Sequence, residues 1–227
     1  MLTRDADLAF KARARLDGNI AATLEAAGFR EEFSSDRSPP VARYHIEGVG
    51  NGFYAEFLAP LTGSGTKRDG SPDATVARAG VTAQKLRHLD VLFVAPWSLA
   101  LEAGGEIPVR KPVKLLVANP VSFMVQKLLI HADRKPGKRA QDALYVHDTL
   151  QLFGARIENL AALWTETVRP SFTQKVAAGI PQLIREQYAA VNDVIRSAVR
   201  IPHDRTISPE SFQAACAIGL GEVFGGV

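Results

Sequence analysis

The segment TRDADL, residues 3–8, places two aspartates close to the beginning of the sequence. If this segment is a β-strand, the side chains of Asp5 and Asp7 lie on the same face, roughly 6–7 Å apart along the strand. Two carboxylates this close repel each other, and a divalent cation such as Mg²⁺ between them removes the repulsion. The alternative is that both acids are solvated and that one of them caps a following helix. The spacing alone leaves both interpretations open.

A second segment, FYAEFLAP at residues 53–60, carries a single charged residue, Glu56, in an otherwise apolar strand. A buried charge is costly unless it is paired or bound to a metal. If this strand lies beside the first one, three carboxylates meet at one point, an arrangement that can hold one or two metal ions around a nucleoside triphosphate. The alternative is that Glu56 faces solvent on a hairpin, although its same-face neighbours, Tyr54 and Leu58, are not typical of a wet face.

The composition is that of an ordinary globular protein. The chain has 227 residues, a formal net charge of +3, and 46% hydrophobic and 22% charged residues, which excludes an intrinsically disordered chain. A single cysteine, Cys216, excludes a disulfide scaffold and a cysteine-based zinc site. No apolar stretch reaches the roughly 18–20 residues of a membrane-spanning helix, and the acidic first residues do not resemble a signal peptide. The expected location is therefore the cytoplasm.

The first half of the sequence mixes helical and extended patterns. Alternating residues on either side of an Asn-Gly pair indicate two strands that are joined as a hairpin. Gly28 follows an Ala-, Leu- and Arg-rich stretch and is a natural helix end. The predicted elements are a helix over residues 8–27, a loop over 31–40, strands over 41–46 and 53–58, a strand or buried segment over 86–94, and an edge hairpin over 107–117.

After Pro120 the apolar residues recur at helical spacing. Ser208 followed by Pro209 is typical of a helix beginning. The sequence therefore predicts an α+β fold, with a mixed β-sheet core over residues 1–119 and an all-helical domain over residues 120–227. The predicted helices of the second half cover residues 121–131, 139–153, 157–168, 172–197 and 208–217.

The two acidic segments resemble those of the DNA polymerase β-type nucleotidyltransferase superfamily, as does the helix end at Gly28-Phe29. A later block is similar to a prokaryotic nucleotidyltransferase-like branch that is related to the abortive-infection toxins. This block reads PVSFMVQKLLI at residues 120–130, continues through Arg134, and ends with KRAQDALY at residues 138–145. The resemblance covers roughly residues 1–153.

The resemblance implies a nucleotidyltransferase-like α/β core with a helical appendage, dependence on Mg²⁺, and transfer of a nucleotide from a nucleoside triphosphate. Asp142 could act by orienting Lys127 or Arg139. The alternative for the basic residues is a solvated loop between two helices. On the family pattern the catalytic residues are Asp5, Asp7, Glu56 and Asp142, the metal ligands are Asp5, Asp7 and Glu56, and the nucleotide-binding residues are Lys127, Arg134, Lys138 and Arg139.

Two departures from the family pattern support a second hypothesis. Family members carry a Gly-Ser turn ahead of the acidic strand, which is not seen before Thr3, and Tyr145 stands where the toxin-like branch has a second aspartate after Asp142. We predict metal-dependent nucleotide transfer to an unidentified acceptor, which is an RNA, a protein or a small molecule. The alternative is a catalytically inactive relative that acts as a binding or regulatory module. The C-terminal helices are a possible dimer contact.

Overall fold

The computed structural model describes residues 5–11, 16, 18–34, 41–46, 52–105, 107 and 109–225. The chain divides into two compact units, Met1–Asp90 and Val91–Val227, which we call the first and the second unit. A mixed α+β fold is confirmed, because a mixed sheet lies in the N-terminal half and helices dominate the C-terminal half.

The first unit is built on a six-stranded sheet and one helix. The elements are β1 (Asp5–Ala9), α1 (Ile20–Ala26), β2 (Phe29–Ser34), β3 (Val41–Ile46), β4 (Phe53–Pro60), β5 (Thr75–Arg78) and β6 (Val81–Leu86). In the sheet, β2, β3, β4, β6 and β5 are neighbours in that order, while β1 also pairs with β4. β1 and β6 run parallel to β4, and the remaining pairs are antiparallel.

One face of this sheet forms the core of the first unit. Alternate residues of β4, namely Ala55, Phe57 and Ala59, are buried there, as the two-residue period of a strand requires. The ring of Phe10 stacks on Phe57 at a centroid distance of 5.5 Å, and residues of α1 such as Leu24 pack against the same cluster. The residues between these, including Glu56, point to the opposite face.

The predicted helix over residues 8–27 is wrong for its first part. Residues 5–9 form β1, and the helix covers only Ile20–Ala26; residues 12–15 and 17 lie outside the described residues. Local helix propensity is outweighed by five consecutive backbone pairs with β4. The helix begins instead at Asn19, whose side chain accepts a hydrogen bond from the backbone N–H of Ala22 at 3.1 Å.

The predicted loop over residues 31–40 is also wrong at its beginning, because Phe29–Ser34 is β2 and pairs antiparallel with β3; residues 35–40 lie outside the described residues. The predicted strands over residues 41–46 and 53–58 are confirmed as β3 and β4. Residues 86–94 include a 3₁₀ turn, Leu89–Phe93, instead of a strand.

The second unit combines a two-stranded sheet with a helical body. The hairpin predicted over residues 107–117 supplies only one strand, and its antiparallel partner is Trp97–Leu101. The helix predicted over residues 172–197 is two helices, because Asn192 caps a new one. The elements are β7 (Trp97–Leu101), β8 (Val113–Val117), α2 (Pro120–Ile130), α3 (Pro136–Phe153), α4 (Ile157–Leu163), α5 (Gln174–Tyr188), α6 (Asp193–Ala198) and α7 (Pro209–Phe224).

The last three helices complete the core of the second unit. Ile184 of α5, Ile195 of α6 and Phe212 of α7 are fully buried in the same cluster as Leu128 of α2. The side-chain amide of Gln187 also donates a hydrogen bond to the carbonyl of Leu128, at 3.2 Å. α5, α6 and α7 are therefore part of the folded core of the second unit. No helix of the described residues is both long and apolar enough to cross a bilayer.

Gly80, in the turn between β5 and β6, provides a test of how α1 is fixed to the sheet. Its φ is +84°, and a Cβ atom there would overlap Oδ1 of Asn19, the cap of α1. We expect Gly80→Ala to destabilise the first unit by about 2–3 kcal/mol, since it adds left-handed strain to the loss of a cap. Urea unfolding followed by far-ultraviolet circular dichroism measures the loss.

Gly28→Ala is the matched control. Gly28 has a φ of +90°, and nothing lies within 4 Å of the position of an added Cβ. This variant therefore carries the backbone strain without the overlap, and we expect it to cost about 1 kcal/mol. Equal losses in the two variants would show that Asn19 does not constrain the turn.

Candidate active site

The acidic residues of the first unit are brought together by the pairing of β1 with β4. The register places Asp5 beside Tyr54 and Asp7 beside Glu56. Paired residues of neighbouring strands lie about 4.8 Å apart and point to the same face, as do residues two apart in one strand. Asp5, Asp7 and Glu56 therefore share the face of the sheet that is opposite the apolar core. We call it the polar face.

Glu56 forms a short ion pair on the polar face. Its Oε1 lies 2.7 Å from Nε of Arg43 on β3, and its side chain is only 15% exposed. The guanidinium of Arg43 also lies over the ring of Tyr54, 5.0 Å from the centroid. The near-burial of Glu56 agrees with the apolar surroundings that its sequence neighbours indicate, and Arg43 supplies the charge that such a place requires.

The other two acids are more accessible. Asp5 is half-buried and accepts a hydrogen bond from the hydroxyl of Tyr54 at 3.3 Å, whereas Asp7 is exposed. Burial raises the pKa of Tyr54, and the negative charges of Asp5 and Glu56 raise it further, while Arg43 opposes them. Tyr54 therefore stays protonated at neutral pH and can donate to Asp5.

Sequence reasoning placed Tyr54 on this face as a neighbour of Glu56, but it did not identify Arg43 and His45 as members of it. The ring of His45 lies 5.2 Å from that of Tyr54, and its Nε2 lies 3.5 Å from a carboxylate oxygen of Glu32 on β2. The sequence signal that could have identified Arg43 and His45 is the alternation of side chains between the two faces of β3. Once Ala42 and Tyr44 are assigned to the core, Arg43 and His45 must face the side that carries Glu56.

In the second unit, Asp142 of α3 is the centre of a buried ionic network. Its two carboxylate oxygens lie 3.0 Å from Nζ of Lys127 on α2 and 2.8 Å from Nε of Arg134 in the turn between the helices. The side chain of Asp142 is 4% exposed, and that of Lys127 is 15% exposed. Asp142 thus contacts Lys127 and Arg134, and the role predicted for it, orienting Lys127 or Arg139, stays a prediction.

Arg139 and Lys138 have different partners. Arg139 donates hydrogen bonds to the backbone carbonyls of Arg134 at 2.8 Å and of Ala132 at 2.7 Å, which closes the turn between α2 and α3. Lys138 is exposed and donates to the side chain of Gln141 at 2.9 Å. The four predicted nucleotide-binding cations therefore do not converge on one partner.

A comparison with protein families decides the assignment. A family model described as nucleotidyltransferase matches residues 1–169 of the 227-residue chain. The chain belongs to this nucleotidyltransferase family. No curated protein and no solved structure matches it.

The region shared with the nucleotidyltransferase family includes both sets of site residues. It contains the acids of β1 and β4, and it contains the network around Asp142. It ends in the second unit, so that α5, α6 and α7 lie beyond it although they complete the core. The prediction of a nucleotidyltransferase is therefore confirmed, while the DNA polymerase β type and the relation to abortive-infection toxins stay predictions.

Nucleotidyltransferases generally use divalent metal ions, and the acids of the polar face have the chemistry to bind one. Carboxylate oxygens are hard ligands of the kind that Mg²⁺ prefers, and Asp5, Asp7 and Glu56 present them on one face. Within the part of the chain that the structure describes, no three acidic, histidine or cysteine side chains are already grouped to hold a metal. The donor chemistry fits, and the cation that now contacts Glu56 is Arg43.

Breaking the ionic network around Asp142 should destabilise the second unit. Asp142→Asn leaves Lys127 and Arg134 without their counter-charge in a largely buried place, so we expect a loss of about 2–4 kcal/mol in the free energy of unfolding. Urea unfolding followed by tryptophan fluorescence measures it, because both tryptophans lie in this unit.

Asp193→Asn is the control for this variant. Asp193 is fully exposed and pairs with Arg196 at 3.3 Å, and a surface pair of this kind contributes at most about 1 kcal/mol. A similar small loss in Asp142→Asn would mean that the buried network is dispensable for folding.

Proposed function

We propose that this nucleotidyltransferase transfers a nucleotide from a nucleoside triphosphate to an acceptor on the polar face of the first unit. Asp5, Asp7 and Glu56 would hold one or two Mg²⁺ ions. The observation that carries the proposal is the register of β1 and β4, which sets Asp7 directly beside Glu56 within the family-matched region. Metal ions bound there would neutralise the negative charge of the triphosphate.

In the proposed reaction, a hydroxyl oxygen of the acceptor forms a bond to the α-phosphorus, and the bond between this phosphorus and the bridging oxygen breaks. Pyrophosphate leaves with the electron pair of that bond. The proton of the hydroxyl passes to Glu56 or to solvent. The polar face would act mainly by positioning the reactants and by balancing charge, which are the dominant contributions in phosphoryl and nucleotidyl transfer.

The second unit supports a narrower role for the basic residues. Lys127 uses one of the three donors of its ammonium group on Asp142, so we propose that Lys127 contacts phosphate oxygens and that Asp142 positions it. Lys138 is exposed and is a further candidate for such a contact. Arg134 and Arg139 stabilise the α2–α3 turn through Asp142 and backbone carbonyls, and we assign them first to that structural task.

Three classes of acceptor are proposed, namely an RNA, a protein hydroxyl and a small molecule. Incubation with an α-labelled nucleoside triphosphate and total RNA, total protein or a metabolite extract separates these three classes by which fraction becomes labelled.

The second candidate function is a binding module without catalysis. It is favoured by the ion pair of Glu56 with Arg43, which already satisfies one of the three proposed ligands. The two candidates differ in their need for a metal, because a binding module requires neither Mg²⁺-dependent binding of triphosphates nor release of pyrophosphate.

Calorimetry with each of the four nucleoside triphosphates, with and without Mg²⁺, tests the proposed function. We expect binding that depends on Mg²⁺, and we expect both Asp7→Asn and Glu56→Gln to weaken it by at least about tenfold, since even indirect metal-site residues contribute that much. Binding of the wild-type protein that is indifferent to Mg²⁺ would rule out the proposed metal-dependent transfer.

Glu32→Gln is the matched control. Glu32 is a carboxylate like Glu56. It is the register partner of Arg43 and so lies on the polar face, but on β2, which is farther from β1 than β4 is. Its side chain is 66% exposed, and its replacement should leave both folding and Mg²⁺-dependent binding unchanged. An equal loss of binding in Glu32→Gln would indicate a general charge effect instead of a metal site.

A further inference from the structure

We infer that Arg43 is an exchangeable counter-ion of the active site. In the metal-free protein it neutralises Glu56, and when a metal ion binds to Glu56, Arg43 is released to contact the triphosphate. This inference rests on the proposed function and adds a nucleotide-binding residue to it.

The first support is the setting of the ion pair. The side chain of Glu56 is 15% exposed, so its carboxylate needs a cation at all times, and Nε of Arg43 now lies 2.7 Å from it. A metal ion on Glu56 and the guanidinium of Arg43 are both positive and would repel each other at this distance. Because arginine does not lose its charge at physiological pH, the conflict is relieved by movement of Arg43.

The second support is that Arg43 is accessible and has a second partner. Its side chain is 35% exposed, which is more than twice the exposed fraction of Glu56, so the guanidinium is the more accessible member of the pair. The guanidinium also lies over the ring of Tyr54, 5.0 Å from the centroid. This contact can keep the cation on the polar face after it separates from Glu56, next to Asp5 and Asp7 and on the same side of the sheet.

The third support is chemical. The planar guanidinium presents paired N–H donors that match the oxygens of a phosphate, and arginine is therefore suited to bind a triphosphate in two-pronged contacts. A guanidinium on the polar face beside the proposed metal ligands would meet the phosphates of a nucleotide bound there. Arg43 would thus serve two anions in turn, first Glu56 and then the triphosphate.

Binding of Mn²⁺ alone, measured by calorimetry and by the loss of its free electron paramagnetic resonance signal, tests the first half of this exchange. Arg43→Gln removes the competing cation, and we expect it to bind Mn²⁺ roughly tenfold more tightly than the wild-type protein. Arg30→Gln is the matched control, because Arg30 is exposed on the same face from β2, where its register partner is His45. Arg30→Gln should leave the affinity for Mn²⁺ unchanged.

Binding of a nucleoside triphosphate at saturating Mn²⁺ tests the second half. Here Arg43→Gln should bind roughly tenfold more weakly than the wild-type protein, because a charge-assisted contact to phosphate is lost. A purely structural ion pair would not produce opposite changes in the two affinities. Circular dichroism establishes whether each variant is folded. If Arg43→Gln is unfolded, Arg43→Lys replaces it. Arg43→Lys keeps the charge, and we expect it to change the two affinities in the same directions but by smaller factors.

The outcomes separate the inference from the proposed function. If the wild-type protein binds Mn²⁺ and Asp7→Asn abolishes this binding, while Arg43→Gln and Arg43→Lys change nothing, the exchange is overturned and the metal site stands. If the wild-type protein binds no Mn²⁺, both are overturned. Tighter Mn²⁺ binding together with weaker nucleotide binding in the Arg43 variants supports the exchange.

Discussion

The parallel pairing of β1 with β4 is the constraint on which the rest of the first unit depends. A shift of one residue would turn Asp5 and Asp7 to the opposite face and would remove them from Glu56. Two contacts fix the register at the end of β1. The N–H of Phe10 donates to the carbonyl of Leu58 at 2.9 Å, and the ring of Phe10 stacks on Phe57 in the core. The apolar packing of one face therefore determines which acids meet on the other.

The polar groups on the two faces of the sheet differ in their surroundings. On the core face, the hydroxyl of Tyr44 donates to Glu31 at 2.7 Å, and burial raises the pKa of Tyr44 to about 12, so this hydroxyl keeps its proton and its partner. On the polar face, Arg43, Glu56, Tyr54 and Asp5 are linked by contacts that leave each of them partly accessible. The core face fixes the geometry, and the polar face retains groups that can change partners.

Much of this arrangement could be predicted from the sequence, because it depends on local periodicity. The alternation over residues 41–46 and 53–58 predicted β3 and β4, the single charge of Glu56 marked it as unusual, and Ser208 marked the beginning of α7. Non-local pairing could not be predicted. Residues 5–9 became a strand through their pairing with β4, which the helical propensity of the region does not reveal. The same is true of Arg43, which reaches Glu56 only because β3 and β4 are antiparallel neighbours.

The carboxylates of Glu56 and Asp142, one in each unit, also differ in what they can do. Asp142 is 4% exposed and is held by two cations, one of them largely buried, so the loss of its charge would leave both cations without their counter-charge. Among the residues that the structure describes, Glu56 pairs with one cation, Arg43, which is more exposed than Glu56 itself. A metal ligand must exchange one cation for another, which costs little at Glu56 and much at Asp142. This difference supports assigning the metal site to the polar face, whereas Asp142 connects α2 with α3 and holds Lys127 in place.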